Sequence, residues 1–441
     1  MSPAPTTPPS TPADPPRNPP GPAHTSTTPV GAPLRHASTP KDTAGAPSRR
    51  TDASEEATDV RSRHATASGD RAGLPSGRAG AAPGAAPGAA PRGGAVAGGW
   101  TGYAAAAWAA VYGFVALSWT MTGRGYPFEG PSSARAAPVL RGVSAEVAAP
   151  VFAGVLLATS VAVLAMAGRH AVRPRGLPRA ALLTFGYAAA LSLMVLVPGA
   201  DLLALTGYAP MLILGAPFGW PKGIDYSTVF DWSLLNQAWS LAGGFLVGAA
   251  VLSWQRRGRG ACGRCGRDGD VPAAARARTA AWARLATAAA VVIPLLYSVS
   301  RLAWLAGIPL GIDPAMLRGL HESGGVWAGA GLATFAVVGA VLTLGLVQRW
   351  GEVFPRWMPG IAGRRVPVLL AVIPAAYVSP VAFAAGLGIV TSPAMWHITG
   401  YSVVLVMTHA LWPLWGVALA VATYGYYLRR RTACRSCGRK G

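Results

Sequence analysis

Long runs of apolar residues recur along the chain from residue 99 onward, separated by polar and charged stretches. Each run is long enough to cross a hydrocarbon core of about 30 Å at about 1.5 Å per helical residue. The pattern therefore predicts an all-α fold, a polytopic transmembrane helix bundle of eight spans. The predicted spans are residues 99–121, 147–167, 180–198, 232–254, 285–308, 326–347, 366–390 and 400–427.

One further apolar stretch, residues 202–218, is close to the length of a span. If it crossed the membrane, the eight arginines from Arg256 to Arg284 would lie on the opposite side from the preceding arginine cluster. Basic loop residues concentrate on the cytoplasmic side. We therefore expect a re-entrant or interfacial segment here, and a ninth span is the alternative.

The composition and the distribution of charge agree with a membrane protein. Apolar residues make up 51% of the chain and charged residues only 12%, about half the usual share in soluble domains, which argues against a soluble enzyme. From residue 99 onward there are 28 Arg and Lys residues, and 22 of them fall on one side of the predicted topology. This asymmetry predicts a plasma-membrane protein with both termini in the cytoplasm. We expect the basic residues behind the net charge of +21 to contact anionic lipid headgroups, and we expect no nucleic-acid partner.

Residues 1–98 differ from the rest of the chain. They are dominated by Pro, Ala, Ser, Thr and Gly and contain no aromatic residue. Such a segment cannot bury enough apolar surface to offset its conformational entropy. We therefore predict a disordered cytoplasmic tail. Its Ser/Thr-Pro content leaves open the alternative of a phosphorylated tail that docks a protein partner.

The second half of the membrane region repeats motifs of the first half in the same order. The sequence ACGRCGR at Ala261–Arg267 corresponds to ACRSCGR at Ala433–Arg439, and each follows an arginine cluster at the end of a span. We predict two parallel four-span repeats, residues 99–270 and 271–441, related by an axis along the membrane normal. Other matching pairs are Gly244 with Gly416, Gln237 with His409, Leu157–Thr159 with Leu332–Thr334, Tyr112 with Tyr297, and Trp119 with Trp304.

The first span of each predicted repeat is rich in aromatic residues. The stretches are WAAVYGFVALSWTM at 108–121 and YSVSRLAWLAGIP at 297–309. They resemble the first spans of small uncharacterised integral membrane proteins of actinomycetes. The resemblance covers only these stretches. It implies a four-span unit, here duplicated, and it brings no activity with it.

Two cysteine pairs carry the most specific chemical signal. Cys262 and Cys265 form one C-x-x-C-G motif, and Cys434 and Cys437 form the other. Four thiolates are the ligand set of a tetrahedral structural zinc site, and the predicted repeat places both pairs on the cytoplasmic side. We therefore expect one zinc ion to join the two halves. The alternatives are a redox-active dithiol pair and reduced thiols without a metal.

Three polar residues inside predicted spans are candidate ligand-binding residues. Gln237 and His409 occupy the same position in the two repeats, and Arg301 lies near the outer end of the fifth span. Polar groups in a membrane usually face the bundle interior or a cavity, so these residues could form a substrate or proton site. Alternatively, Gln237 and His409 form interhelical hydrogen bonds. Arg301 could bind an anionic ligand, pair with an aspartate or extend to the outer headgroups.

These observations leave three classes of function. The first is a non-catalytic membrane scaffold that a zinc ion stabilises. The second is a carrier of a small molecule or ion, and the third is a membrane thiol-redox protein that uses the two cysteine pairs. The sequence contains no P-loop, no H-E-x-x-H and no G-x-S-x-G motif, so it gives no positive evidence for a hydrolase, kinase or dinucleotide enzyme. A non-enzyme is favoured, and a thiol-redox enzyme stays the alternative.

Overall fold

The protein is almost entirely helical in the part of the chain that the structure describes. The computed structural model describes residues 99–128, 139–167, 171, 174–218, 230–267, 273–392, 396, 402–434 and 437–438. These residues form helices and connecting turns with no β-strand, apart from one isolated bridge between Val353 and Arg365. The predicted all-α fold is confirmed. The tail predicted over residues 1–98 lies outside the described residues.

Among the described residues, eight helical segments are long and apolar enough to cross a membrane, as the sequence predicts. The α-helices are α1 (Gly99–Thr122), α2 (Ala145–Met166), α3 (Leu177–Val195), α4 (Ala200–Gly215), α5 (Trp232–Arg257), α6 (Ala273–Leu305), α7 (Pro314–Glu322), α8 (Gly325–Leu344), α9 (Val368–Thr391), α10 (Val403–Ala410) and α11 (Trp412–Arg430). The eight membrane-spanning segments are α1, α2, α3, α5, α6, α8, α9 and the consecutive pair α10 and α11.

Two of the predicted spans differ from the observed helices. Helix α6 begins at Ala273, twelve residues before the predicted span 285–308, because an arginine-bearing segment continues the helix beyond the apolar run. The predicted span 400–427 is divided into α10 and α11 at Leu411. Pro413 lies in the first turn of α11, where its missing N–H leaves no helical hydrogen bond unmade.

Helix α4 occupies the stretch for which a re-entrant or interfacial segment was predicted. Its 16 residues measure about 24 Å, which is shorter than a hydrocarbon core of about 30 Å. The helix packs on two helices of the second half. The hydroxyls of Thr206 and of Tyr377 on α9 lie 3.0 Å apart, and the Tyr208 hydroxyl donates to the Ala328 carbonyl of α8 at 3.3 Å. Helix α4 therefore connects the two halves.

The two halves pack their own helices in the same pairs. In the first half α1 packs on α2, α3 packs on α5, and α1 packs on α5. In the second half α6 packs on α8, α9 packs on α11, and α6 packs on α11. These pairings agree with a parallel duplication, which stays a prediction.

Glycines at matching sequence positions allow close packing in both halves. A Cβ atom on Gly244 of α5 would lie 3.0 Å from the Ala190 carbonyl oxygen of α3. A Cβ atom on Gly416 of α11 would lie 2.6 Å from the Ser379 carbonyl oxygen and 2.7 Å from the Phe383 nitrogen, both on α9. Small residues permit this approach between membrane helices, where packing rather than hydrophobic burial drives association.

We expect Gly416→Ala to destabilise the bundle by about 1–3 kcal/mol, because the added methyl group meets the α9 backbone. Thermal unfolding in detergent measures this effect. Gly339→Ala in α8 is the matched control, since a Cβ atom at Gly339 has open space around it. Equal unfolding temperatures for the two variants would contradict the importance of this contact.

Candidate functional site

The four cysteines come together although about 170 residues separate the two pairs. Cys262 and Cys265 lie in the turn after α5, and Cys434 and Cys437 lie in the segment after α11. Their four sulfur atoms all lie within 4.8 Å of one another, and the Sγ atoms of Cys265 and Cys437 are 3.6 Å apart. The predicted convergence of the two pairs is confirmed.

The two cysteine turns share one backbone geometry. The N–H of Gly266 donates to the Cys262 carbonyl at 2.7 Å, and the N–H of Gly438 donates to the Cys434 carbonyl at 2.8 Å. Both glycines have positive φ angles, +72° and +71°. A side chain at either position would strain this left-handed conformation. The glycine of each C-x-x-C-G motif thus closes the turn that points two thiols in the same direction.

The environment of the first pair separates the two thiols in acidity. Burial raises the pKa of Cys262, but hydrogen bonds from the backbone N–H groups of Cys265 and Arg264 and from the thiols of Cys265 and Cys437 together outweigh burial, and the net shift is downward. Burial raises the pKa of Cys265 to about 12, and the neighbouring cysteines add to that rise. Cys262 is therefore the more acidic thiol of the first pair.

Arginines link the two cysteine turns across the halves. The buried guanidinium of Arg267 donates from both Nη atoms to the Thr432 carbonyl, each at 3.1 Å. In return, Nη1 of Arg431 donates to the Cys265 carbonyl at 3.2 Å. The sequence does not reveal these contacts, because backbone carbonyls have no sequence signature and the arginine pattern predicts only topology and contact with lipid headgroups.

Two further arginines bind the carboxyl ends of neighbouring helices. Nη2 of Arg257 donates to the Met166 carbonyl at 3.0 Å, at the end of α2. Nη2 of Arg429 donates to the Leu346 carbonyl at 2.6 Å, just beyond the end of α8. The last carbonyls of a helix lack intrahelical partners, and cations favour that end of the helix dipole. These contacts brace the ends of the helices that carry the cysteine turns.

A second polar cluster lies inside the second half. Nη2 of Arg301 on α6 lies 3.4 Å from Nε2 of His409 on α10. The Arg301 guanidinium lies over the Trp304 ring at 4.0 Å and near the Tyr297 ring at 4.9 Å. The His409 ring also contacts the rings of Tyr297 and Trp412. Two of the three predicted ligand residues are therefore neighbours, and both belong to the same half.

The third predicted ligand residue, Gln237, has a different environment. Its buried side-chain oxygen accepts a hydrogen bond from the Gly199 backbone N–H at 2.8 Å. The adjacent Asn236 accepts a hydrogen bond from the Tyr112 hydroxyl at 3.2 Å. Within the described part of the chain, the contacts found for Arg301 and His409 do not include Gln237. Gln237 therefore fixes the connection between α3 and α4.

No family model, curated protein or solved structure matches this chain.

In protein stripped of metal, we expect iodoacetamide to label Cys262 before Cys265 at neutral pH. The thiolate is the reactive form, and the pKa of Cys262 is lowered whereas that of Cys265 is raised. Raising the pH toward 12 should therefore accelerate labelling of Cys265 far more than that of Cys262. Mass spectrometry of the labelled peptides measures both rates. In denaturant the two rates should converge, and faster labelling of Cys265 in the folded protein would disprove the assignment.

Proposed function

We propose that this multi-pass membrane protein is a non-catalytic scaffold whose two halves are held together by one structural zinc ion. The proposal depends on the convergence of four cysteine sulfurs within 4.8 Å. A tetrahedral zinc with Zn–S bonds of about 2.3 Å requires sulfurs about 3.8 Å apart. The observed separation of 3.6 Å between Cys265 and Cys437 is already close to this value.

The donor set and its support fit zinc. Backbone N–H groups stabilise the Cys262 thiolate, and the guanidinium groups of Arg267 and Arg431 fix the surrounding backbone. Hydrogen bonds that orient the ligands and their backbone are the usual outer support of a metal site. Each half supplies two ligands, so an ion bound here links two cysteine pairs that lie about 170 residues apart in the sequence.

A thiol-redox protein is the alternative, and the sulfur arrangement favours it less. Redox exchange within one C-x-x-C pair needs only the two thiols of that pair. The four sulfurs here form one cluster, in which Cys265 of one pair lies 3.6 Å from Cys437 of the other. This geometry favours a shared ligand over exchange within a pair.

We place the protein in the plasma membrane with both termini in the cytoplasm. The support is the excess of arginine in the segments after α5 and α11 and in the other predicted cytoplasmic segments. The cluster of Cys262, Cys265, Cys434 and Cys437 with its proposed zinc ion, called the zinc clip below, therefore lies in the reducing compartment, where thiols stay reduced and metal-bound cysteines are common.

A carrier is the second candidate function. The observation that favours it is the contact between Arg301 and His409 within the membrane-spanning region, because ionisable groups at that depth mark ligand or ion pathways.

The decisive test of the zinc clip is the metal content of the full chain purified in detergent without added metal. We expect about one zinc per chain, with four thiols that become reactive only after chelation. Cys262→Ser and Cys434→Ser should each lose the metal, because each half supplies half of the ligands. The matched control is Arg264→Ala, which changes an exposed side chain between two ligands and should keep full metal content.

Two results would contradict this assignment. Zinc retained at full occupancy in Cys434→Ser would show that the halves do not share an ion. Protein that is purified without metal and whose thiols oxidise reversibly under mild conditions would support the redox function instead.

The topology has its own test. A fluorescent protein that folds only in the cytoplasm, fused after residue 441, should give bright cells, because the arginine-rich segment after α11 stays inside. A periplasmic alkaline phosphatase fused at the same position should be inactive. Active phosphatase would reverse the orientation and place the cysteine cluster outside.

A further inference from the structure

Arg301 carries a charge in a membrane-spanning helix without a neutralising carboxylate among the described residues. Its contacts are the His409 ring and the faces of Trp304 and Tyr297. Its Nη1 atom is shielded from solvent and has no hydrogen-bond acceptor in the described part of the chain. A charge within a membrane span and a shielded donor without an acceptor are both costly in an apolar environment, so this arrangement calls for an anionic acceptor.

The hydrogen bonds of His409 determine which ring nitrogen faces the arginine. Nδ1 lies 2.9 Å from the Leu405 carbonyl oxygen, which can only accept, so Nδ1 carries a proton. Nε2 faces the Nη2 donor of Arg301, which has no lone pair to offer. Nε2 is therefore the acceptor and the imidazole is neutral. His409 orients the guanidinium without cancelling its charge.

Aromatic side chains hold the guanidinium in place. Trp304 donates from its indole nitrogen to the Leu310 carbonyl at 2.9 Å, and the His321 ring nitrogen contacts the Trp304 carbonyl at 2.8 Å. The Trp304 ring is thus fixed under the guanidinium by cation–π contact. An arginine held on one face keeps its remaining N–H donors in a fixed direction, which suits two-pronged recognition of an oxyanion.

The corresponding position of the first half explains what Arg301 adds. Tyr112 and Trp119 align with Tyr297 and Trp304, which places Ala116 opposite Arg301 in sequence. Ala116 is fully buried in an aromatic cluster that includes Phe152. A bundle of this kind therefore packs without a charge at this position, and structural need alone does not account for the arginine.

From these observations we propose that Arg301, oriented by neutral His409, binds an oxyanion, a carboxylate or a phosphate group. Arg301 lies one turn before the end of α6 at Leu305, on the side opposite the cysteine clip in the predicted topology. The group can therefore come from a soluble anion or from the headgroup of an anionic lipid. The site is independent of the zinc clip.

The experiment measures anion binding by the full chain in two arms. In the first arm, the thermal midpoint in a non-ionic detergent is followed against sodium phosphate and sodium acetate at constant ionic strength. In the second arm, the protein is reconstituted in nanodiscs of phosphatidylcholine with or without phosphatidylglycerol, and retained lipid is quantified by mass spectrometry. A bound anion raises the midpoint through linkage, by several degrees at saturation.

Arg301→Gln is the decisive variant, and Arg318→Gln is its control, since Arg318 is exposed on α7. We expect Arg318→Gln to behave like wild type. We expect Arg301→Gln to lose the stabilisation by soluble anion, or to retain at least about tenfold less phosphatidylglycerol, depending on the source. A response in the first arm identifies a soluble anion, and a response confined to the second arm identifies a lipid headgroup.

Arg301→Lys keeps the charge and covers the case in which Arg301→Gln does not fold. It should bind the same anion at least about tenfold more weakly, because an ammonium cannot offer two parallel donors. Wild-type protein that responds in neither arm would overturn the proposal. So would equal binding by Arg301→Lys and wild type. Metal content should be unchanged in every Arg301 variant, which separates this site from the zinc clip.

Discussion

The apolar interior of the bilayer is the constraint on which the rest of this structure depends. It offers no hydrogen-bond partners, so each span satisfies its backbone as a helix. It also removes the hydrophobic gain from helix association, so the helices rely on close backbone contact and a few polar bonds. Gly244 and Gly416 provide that contact at the same place in each half. At the helix ends, Arg257 and Arg429 add polar contacts by donating hydrogen bonds to terminal carbonyls.

Hydropathy predicted the spans well, because it measures the property that the bilayer selects. It failed where another force set the helix boundary. The start of α6 at Ala273 belongs to a segment outside the apolar run, where helix propensity continues the helix. The break at Leu411 comes from the ring of Pro413, which a sum of apolarity does not detect.

The candidate sites were only partly predictable, for a related reason. The predicted repeat puts Cys262 and Cys434 at equivalent positions on the same side of the membrane, and for that reason the sequence predicted that the two cysteine pairs lie together. The same symmetry suggested that Gln237 and His409 contribute to one site, but His409 contacts Arg301 of its own half, and Gln237 binds the Gly199 backbone. Side chains that bind backbone atoms, as Arg267 does, leave no partner residue for a sequence pattern to reveal.

The cysteine cluster adds a further link between the two halves. The two four-span halves each pack their own helices, and they meet where α4 packs on α8 and α9, where α3 packs on α9, and where arginines join the two cysteine turns. A zinc ion shared by Cys265 and Cys437, as proposed above, would close a loop of about 170 residues, and long loops gain most from closure.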